Sequence, residues 1–381
     1  MKILHLAISN FYVEGYNYQE NILPRINKEH GHDVLIIASR ETFINNSKHG
    51  YAKSGTFTNE DGIQVVRLKY KYWLPKFINR KLRIYSGLYK KLNEFNPDII
   101  MFHGMAAIDL LTVRKYIIKN PNVKLYIDSH EDYNNSATNW ISKNILHKLI
   151  YKRVIQKSLS EIDKVLSITY ESTKFISDIY KVNESMIFDF PLGGIIVDSK
   201  DKFKYRTEVR EKLNIKDDDI MFFHSGKMDA SKKTIDILQA FENFNNSKVK
   251  LIIAGSFDDQ TEKYYSRSIQ NNNNIKYVGW LNNTDIIKFL CASDMYLQPG
   301  SQSATMQNAL CCGTAVAVYN HPSYEHLLEG KMPYISNTSD IINLIEEIII
   351  NQDNLKNLSA QAIKIARSKL DYRKLATIIE N

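Results

Sequence analysis

The sequence has few cysteines, and no part of it is apolar over the length of a membrane span. The three cysteines, Cys291, Cys311 and Cys312, all lie in the second half of the chain. Adjacent cysteines do not easily bridge each other, and none of these spacings is typical of a metal site. We therefore predict reduced thiols that fill the core, in a cytoplasmic protein. A membrane-spanning helix needs a run of about 18 apolar residues, so none is expected.

One long segment contains no acidic residue. Between Arg67 and Lys91, nine lysines and arginines are interleaved with aromatic and aliphatic residues, and a second basic stretch follows at 143–157. Such a mixture suits peripheral contact with an anionic membrane. A solvated helix face with a buried apolar side is the other interpretation. Nucleic acid is not an expected partner despite the net charge of +8, because no recognition motif accompanies the basic residues.

Glycine and proline are also scarce, at 15 and 8 of 381 residues, and short apolar runs alternate with helix-period segments throughout. This alternation predicts an α/β fold with two Rossmann-like domains on parallel sheets, and the length agrees. The turn-rich segment Pro191–Gly194 separates the predicted domains, 1–192 and 193–381. The last helical run, 355–379, could pack on either domain. Ligands of such sheets bind beyond the carboxyl ends of the strands, so we expect the site in a cleft that both domains face.

The apolar runs also predict individual elements. Strands are expected at 2–7, 33–38, 63–68, 99–102, 124–128, 165–168, 186–188, 220–224, 248–254, 275–278, 295–297, 315–319 and 332–335. Helices are expected between them, among others at 18–29, 84–94, 138–157, 234–244, 261–270, 284–291, 306–312 and 339–350.

The segment 294–318 predicts an anion site. An apolar run leads into a loop rich in glycine and serine, and a helix is expected from about Thr305 until Gly313 ends it. A helix start carries partial positive charge and unpaired N–H groups, so it can bind a phosphate or carboxylate. We expect an anionic ligand here, and a nucleotide-linked one in particular.

A second loop, 224–234, carries lysines between a predicted strand and a predicted helix. Gly226 permits a sharp turn, and Lys227, Lys232 and Lys233 place positive charge at the end of the strand. Such lysines suit a diphosphate whose negative charge grows in a transition state. The alternative is an ordinary basic loop, which is common between strands and helices.

The order of short motifs along the chain is more informative than any one of them. They are EHGHDV (29–34), PDIIMFH (97–103), IDKVLS (162–167), PLGGI (191–195), LIIAGS (251–256), IKYVGW (275–280), ASDMYLQP (292–299) and NALCCGTAV (308–316). These motifs occur in this order together with the loop 224–234, which we call the lysine loop. In this respect essentially the whole chain resembles the family 4 glycosyltransferases, retaining enzymes with the GT-B fold.

The resemblance implies a function as well as a fold. Domain 1–192 would bind the acceptor and domain 193–381 the nucleotide sugar. The chain would be a retaining hexosyltransferase that moves a sugar from a nucleotide diphosphate to a glycan or lipid-linked acceptor, in the assembly of bacterial surface polysaccharide or lipid-linked glycan. It would use no cofactor and no metal. From the cysteine content we expect it in the cytoplasm, and from the basic stretches 67–91 and 143–157 we expect peripheral contact at the inner face of the cell membrane.

Residue by residue, the resemblance assigns catalytic roles to His130, Lys227 and Lys232. The lysines would clamp the donor diphosphate, and His130 would face the donor sugar. The family usually has arginine at the position of Lys227, and lysine lacks the guanidinium fork. It has glycine at the position of Lys233, a further departure. A hydrogen-bonded residue at a strand end is the alternative role for His130.

Further site residues follow from the same resemblance. Donor-binding residues are Gly15, Gly226, Val278, Gly279, Trp280, Gly300, Ser301, Gln302, Ser303, Ala304, Thr305 and Asn308. Acceptor-side residues are His103, Glu131 and Asp132. Trp280 could instead be ordinary packing, and Glu325 is a further carboxylate to test.

The chain departs from the family in one respect. The family has Glu-x7-Glu where this sequence has Gly300 and Asn308. Asn308 can still hydrogen-bond a ribose hydroxyl. Gly300 offers only its backbone, so we expect Ser301, Gln302 or Ser303 to contact the sugar. The loss of both glutamates leaves two alternatives open: a catalytically silent GT-B protein that binds nucleotide sugar or glycan, and a nucleotide-sugar 2-epimerase.

Overall fold

The computed structural model describes residues 1–44, 48–71, 74–242, 244 and 246–381. Tyr72 and Trp73 of the first basic stretch lie outside the described residues. The chain divides into two compact units. Unit 1 is Met1–Pro191 together with Tyr372–Asn381, and unit 2 is Leu192–Asp371.

The strands follow the apolar runs of the sequence. In chain order they are β1 Lys2–Ala7, β2 Asp33–Ala38, β3 Glu41–Ile44, β4 Lys48–Tyr51, β5 Gly55–Thr58, β6 Gln64–Arg67, β7 Ile99–His103, β8 Lys124–Ser129, β9 Lys164–Ser167, β10 Ile187–Asp189, β11 Ile220–Met228, β12 Val249–Phe257, β13 Ile275–Tyr277, β14 Met295–Gln298 and β15 Ala315–Val318.

Helices connect most of these strands. They are α1 Gln19–Glu29, α2 Lys76–Leu82, α3 Leu88–Phe95, α4 Leu110–Lys119, α5 Lys152–Ser158, α6 Tyr170–Phe175, α7 Ser199–Leu213, α8 Thr234–Glu242, α9 Asp259–Asn271, α10 Asn283–Ala292, α11 Ala304–Cys311, α12 Pro322–Leu328, α13 Thr338–Ile350, α14 Gln352–Ile365 and α15 Tyr372–Glu380. Ser142–Tyr151, Ile176–Tyr180 and Ala366–Leu370 are π-helical, and Leu159–Glu161, Glu184–Met186 and Ala230–Lys232 are short 3₁₀ turns. No helix within the described ranges is both long and apolar enough to cross a membrane.

Unit 1 is built on a mostly parallel sheet. In the part of the chain that the structure describes, its eight strands have the order β10-β9-β8-β7-β1-β2-β6-β5, and β5 pairs antiparallel with β6. Successive residues of β1 point into cores on opposite faces, Leu4 and Leu6 on one and Ile3 on the other. Both faces are therefore covered, as a parallel sheet requires. Helix α15 packs in the core that contains Ile3, through Leu375 and Ile379.

Unit 2 has a parallel sheet in the order β13-β12-β11-β14-β15, counted over the described residues. Leu251 and Ile253 of β12 point into one core, and Ile252 and Ala254 point into the other. All three cysteines are free and buried in the core that contains Ile252, consistent with their predicted role as fillers. The two sheets confirm the predicted α/β class with Rossmann-like domains.

Some sequence predictions of single elements are wrong. The segment 332–335 is not a strand, and it makes only an isolated bridge from Tyr334 to Val318. The final helical run, 355–379, is interrupted at Asp371, whose backbone is extended, with φ −66° and ψ 108°. Strands β3, β4 and β5 were not predicted, because their short polar sequences have no alternation of apolar residues.

Candidate functional site

The lysine loop of unit 2 is held by its own polar side chains. Strand β11 ends at Met228, and the Asp229 carboxylate accepts a hydrogen bond from the Ser231 N–H at 2.9 Å, which begins the turn Ala230–Lys232. Lys232 ends this turn half-buried, whereas Lys227 is exposed. Burial lowers the pKa of Lys232, and the Asp229 carboxylate opposes that shift. The two predicted catalytic lysines therefore occupy different environments.

Gly300 brings the loop after β14 directly onto the lysine loop. A Cβ atom on Gly300 would lie 2.1 Å from the Ser231 carbonyl oxygen and 2.7 Å from Lys232 Cα. The Ser301 N–H donates to the Ser231 carbonyl at 2.8 Å. A side chain at position 300 would prevent this approach, so the glycine is needed here for contact between the loops.

The ammonium group of Lys232 is bound by the facing loop. Its Nζ donates to the carbonyl oxygens of Ser301 and Gln302, each at 3.1 Å. Gly226 lies beside the same side chain, since a Cβ atom there would be 3.7 Å from Lys232 Cε. The structure thus brings together five of the predicted residues: Gly226, Lys232, Gly300, Ser301 and Gln302.

Helix α11 begins next to this loop. The Ser303 hydroxyl accepts a hydrogen bond from the Thr305 N–H at 3.2 Å and caps the helix, and Ala304 is its exposed first residue. The Ser303 N–H donates to the Tyr324 hydroxyl at 3.3 Å. The helix start predicted as an anion site therefore lies next to Gln302, whose carbonyl accepts from Lys232.

Asn308 and Glu325, two other predicted positions, lie further along. Asn308 belongs to α11, and a Cβ atom on Gly194 would lie 3.0 Å from its Oδ1 atom, so its side chain packs against the backbone at Gly194. Glu325 is exposed on α12. Within the described part of the chain, neither side chain hydrogen-bonds to Lys232.

Three glycines at neighbouring strand ends connect the lysine loop to the segment after β13. Gly226 pairs with Gly255 in the sheet, and a Cβ atom on Gly255 would lie 1.8 Å from the Gly226 carbonyl oxygen. The Gly255 N–H donates to the Gly279 carbonyl at 2.9 Å. Val278 packs against the core, whereas Trp280 is 68% exposed. This exposure does not support ordinary packing as the role of Trp280.

His224 lies buried in β11, close to these loops. Its Nδ1 atom donates to the Leu297 carbonyl at 2.8 Å, and its Nε2 atom lies 2.9 Å from the Thr234 hydroxyl. Burial lowers the pKa of His224 to about 4, and the Leu297 bond opposes the shift. The side chain is therefore neutral at pH 7.

Acid is expected to destabilise the protein through His224. The unfolded side chain binds a proton below about pH 6.5, whereas the folded one does so only near pH 4, so stability is lost as the pH falls between these values. This difference amounts to about 2 kcal/mol at pH 5. We expect His224→Gln to reduce the loss in unfolding free energy between pH 7 and pH 5 by that amount, measured by urea denaturation. Equal losses in both proteins would contradict a neutral buried His224.

In unit 1, the loop after β1 is held by a buried arginine. Arg67, at the end of β6, donates from Nη2 to the Tyr12 carbonyl at 3.1 Å and to the Glu14 carboxylate at 3.0 Å. The next residue, Gly15, is exposed and has φ +74°, a conformation that favours glycine. The predicted position of Gly15 in a loop after the first strand is thus the observed one.

His130 follows the end of β8 and has three carboxylates around it. Its Nε2 atom lies 3.6 Å from Asp128 Oδ1 and 3.9 Å from Glu20 Oε1, and Glu131 is adjacent in the chain. Burial alone would lower the pKa of His130, but Asp128, followed by Glu20 and Glu131, raises it to about 9. His130 is therefore a cation at neutral pH, with a side chain that is 24% exposed.

The structure corrects two of the three acceptor-side residues, His103 and Glu131, and the role of Asp132 stays a prediction. His103 is fully buried between His5 and Asp128, so it is closed to an acceptor. Glu131 is also buried, and it accepts hydrogen bonds from the Ala106 N–H at 3.2 Å and from the Ser129 hydroxyl. The Asp132 carboxylate accepts from the N–H groups at positions 134 and 135 and shapes a turn. His103 ends β7 and Glu131 follows β8, and a place at a strand end carries no information about burial, which is the reason for the error.

Several residues near these groups were missed by the sequence analysis. Gln298 ends β14, and its amide donates to the Ser301 carbonyl at 2.6 Å and to the Tyr324 hydroxyl at 2.8 Å. His5 contacts His103, and Glu20 faces His130. The sequence signal that could have identified His5 and Gln298 is that each is a polar residue in a mostly apolar strand.

Residues 205–367 match the family model described as glycosyl transferases group 1. The matched segment lies inside unit 2 and includes the lysine loop and α11. The match supports a glycosyltransferase. No curated protein sequence matches the chain.

Solved structures resemble the whole chain. Sucrose-phosphate synthase from Thermosynechococcus elongatus is 13% identical, with a TM-score of 0.67 over 100% of this chain and 97% of its own. A glycosyltransferase from Rickettsia africae is 14% identical, with a TM-score of 0.67 over 99% and 96%. Anabaena HepE in complex with UDP-glucose is 15% identical, with a TM-score of 0.63 over 100% and 98%. At these identities the likeness shows the fold, and it confirms the predicted GT-B class.

Proposed function

We propose that this protein is a retaining glycosyltransferase of the family 4 type, a hexosyltransferase that uses a nucleotide-diphosphate sugar and a glycan or lipid-linked acceptor. The acceptor hydroxyl forms a bond to the anomeric carbon while the bond to the diphosphate breaks, and the hydroxyl proton passes to the departing phosphate. Lys232 and Lys227 neutralise the leaving group. His130 is the proposed catalytic residue of unit 1. We expect a role in bacterial surface polysaccharide or lipid-linked glycan assembly.

The contact of Lys232 with the loop before α11 carries this proposal. A half-buried ammonium group, two backbone carbonyls and a helix start meet at the carboxyl ends of β11 and β14. Phosphate oxygens can replace the Ser301 and Gln302 carbonyls as acceptors from Lys232, with a stronger charge-assisted bond. The UDP-glucose complex of the structurally similar HepE supports a nucleotide sugar as the ligand.

A thermal-shift screen of UDP-, GDP-, ADP- and dTDP-sugars tests the proposal. A ligand that binds the folded state at a hundred times its Kd adds about 2.7 kcal/mol of stability, which gives a clear rise in Tm. Turnover of the stabilising donor is then measured with and without candidate acceptors. Binding without any turnover would favour the silent GT-B protein, which the two missing glutamates motivate. Turnover without an acceptor would favour a 2-epimerase.

We further propose that unit 1 contacts an anionic membrane. The helical segment at 140–158 exposes an apolar stripe, made up of Trp140 (70% exposed), Ile141 (61%), Ile145 (39%) and Leu149 (43%). Lys148 and Arg153 on the same segment are exposed. The Tyr151 hydroxyl donates to the Lys81 carbonyl, so the end of α2 contacts this segment. Apolar side chains beside cations match the chemistry of an anionic lipid surface.

Removal of the apolar stripe is expected to weaken vesicle binding. The double variant Trp140→Ser, Ile145→Ser should bind vesicles of equimolar phosphatidylcholine and phosphatidylglycerol at least about tenfold less tightly, because each apolar side chain contributes about 1.5–3 kcal/mol when buried. Co-sedimentation at low salt measures the binding. Phe203→Ser is the matched control, since Phe203 is 73% exposed but lies in unit 2. Equal losses in both variants, or equal binding to pure phosphatidylcholine, would contradict the proposal.

A further inference from the structure

A row of buried polar side chains crosses the interior of unit 1 and reaches the neighbourhood of His130. We call it the buried row, and its members are Asn27 of α1, His5 of β1, His103 of β7 and Asp128 of β8. All four side chains are fully buried. His5 Nε2 lies 2.9 Å from Asn27 Oδ1, His5 Nδ1 lies 3.0 Å from His103 Nε2, and His103 Nδ1 lies 2.6 Å from Asp128 Oδ2.

Glu380 of helix α15 determines which atoms donate and which accept in these hydrogen bonds. Asn27 Nδ2 donates to Glu380 Oε1 at 2.6 Å, which turns the amide oxygen of Asn27 towards His5. An amide oxygen only accepts, so the proton of His5 is on Nε2. Burial, followed by the positive charge of His103, lowers the pKa of His5 to about 3. His5 is therefore neutral, and its bare Nδ1 accepts from His103 Nε2.

The other end of the row requires a second proton on His103. Burial alone would raise the pKa of Asp128, but the charges of His103 and His130 hold it well below its usual range. The ionised Asp128 accepts from the Gly104 N–H at 2.7 Å and from Gln19 Nε2 at 3.3 Å. A carboxylate only accepts, so His103 Nδ1 must also donate. His103 therefore donates from both ring nitrogens, from Nε2 to His5 and from Nδ1 to Asp128.

We propose that the buried row positions His130 and sets its protonation, and that Glu380 fixes the direction of the row; this inference rests on the proposed role of His130 in sugar transfer. Asp128 serves two imidazoles, with Oδ2 bonded to His103 and Oδ1 facing His130 at 3.6 Å. The other charged groups that face His130 are Glu20 from α1 and Glu131 from the adjoining loop. His103 is hydrogen-bonded to the same carboxylate. This bond partly neutralises Asp128 and so weakens its electrostatic effect on His130.

The atom of His130 that faces the Asp128 carboxylate is Nε2. It is buried and has no hydrogen-bond partner among the described residues, although two carboxylates lie within 4 Å of it. A buried polar atom without a partner is costly, and nearby opposite charge offsets that cost only while the ring is protonated. Asp128 and the residues that orient it are thus positioning residues, since they act through His130.

The test is a titration of the histidine rings by ¹⁵N NMR, which needs no donor. In the wild-type protein at pH 7.5 we expect His130 and His103 to carry two protons and His5 to carry one, on Nε2. Asp128→Asn should lower the titration midpoint of His130 by at least two pH units. His103→Gln should raise it by about one, because the whole charge of Asp128 then faces His130. His147→Gln, which replaces a buried histidine bonded to Tyr180 outside the row, should leave it unchanged.

The outcomes separate this inference from the proposed function. A neutral His103 at pH 7.5, or a His130 midpoint that does not move in either variant, would overturn the buried row whatever the turnover. Normal titrations in a protein that turns over no nucleotide sugar would leave the row intact and contradict the glycosyltransferase. Should Asp128→Asn fail to fold, the His130 midpoint in His103→Gln and the tautomer of His5 in the wild-type protein still test the proposed role of the buried row. With an active donor, the alkaline limb of kcat/KM should move with the His130 midpoint.

Discussion

Replacement of Lys232 by alanine is expected to lower donor turnover by about 10²–10³-fold. This is the usual effect when one preorganised donor to a developing negative charge is removed. Lys232 is held half-buried beside a helix start, so its charge is directed and little screened. The loss should appear in kcat as well as in kcat/KM, because the leaving diphosphate gains charge in the transition state. Steady-state assays with the donor found by thermal shift measure it.

A matched lysine serves as the control for this prediction. Lys248 precedes β12 at the amino end of the same sheet and makes an exposed ion pair with Asp218 at 2.7 Å. Lys248→Ala should keep full turnover. Lys232→Ala also loses its bonds to the Ser301 and Gln302 carbonyls, so the Tm of both variants is measured. Unchanged turnover in a folded Lys232→Ala protein would disprove the phosphate role of this residue.

Much of the fold could be predicted from the sequence where apolar runs are long and uninterrupted. β1 and β2 have the predicted bounds, 2–7 and 33–38, because five of six residues in each strand are buried. The strands of 41–58 could not be predicted. β5, for example, has the sequence GTFT and three exposed residues, so its pairing with β6 depends on the partner strand rather than on its own pattern.

The candidate site was predictable in its sequence order but not in its contacts. The lysine loop and the start of α11 follow from local patterns of glycine, serine and lysine. The contact between Gly300 and the backbone of Ser231 joins residues that are distant in sequence, and no local pattern encodes it. The same is true of Glu380, which lies at the end of the chain and bonds Asn27 of α1. The direction of the hydrogen bonds in the buried row, which Glu380 fixes, therefore depends on tertiary packing alone.

The second large effect is expected from Gly300→Ala, which tests whether contact between the two loops is needed for donor binding. The new Cβ would lie 2.1 Å from the Ser231 carbonyl oxygen, and backbone atoms on both sides cannot move apart without breaking the Ser301–Ser231 bond. We expect a loss of about 1–3 kcal/mol in unfolding free energy, as for other overpacked sites. Donor affinity should fall about tenfold or more, because Lys232 then loses its alignment with the start of α11.

Gly330→Ala separates the loss of stability from the loss of binding. Gly330 has φ +69°, and no heavy atom lies within 4 Å of the place that a Cβ atom would take, so alanine there brings backbone strain without a clash. That strain costs about 1–2 kcal/mol, which is comparable to the expected cost at Gly300. Gly330→Ala should therefore match Gly300→Ala in urea denaturation and still bind the donor with wild-type affinity in calorimetry. Similar affinities for the two variants would mean that Lys232 binds the diphosphate without support from the Gly300 loop.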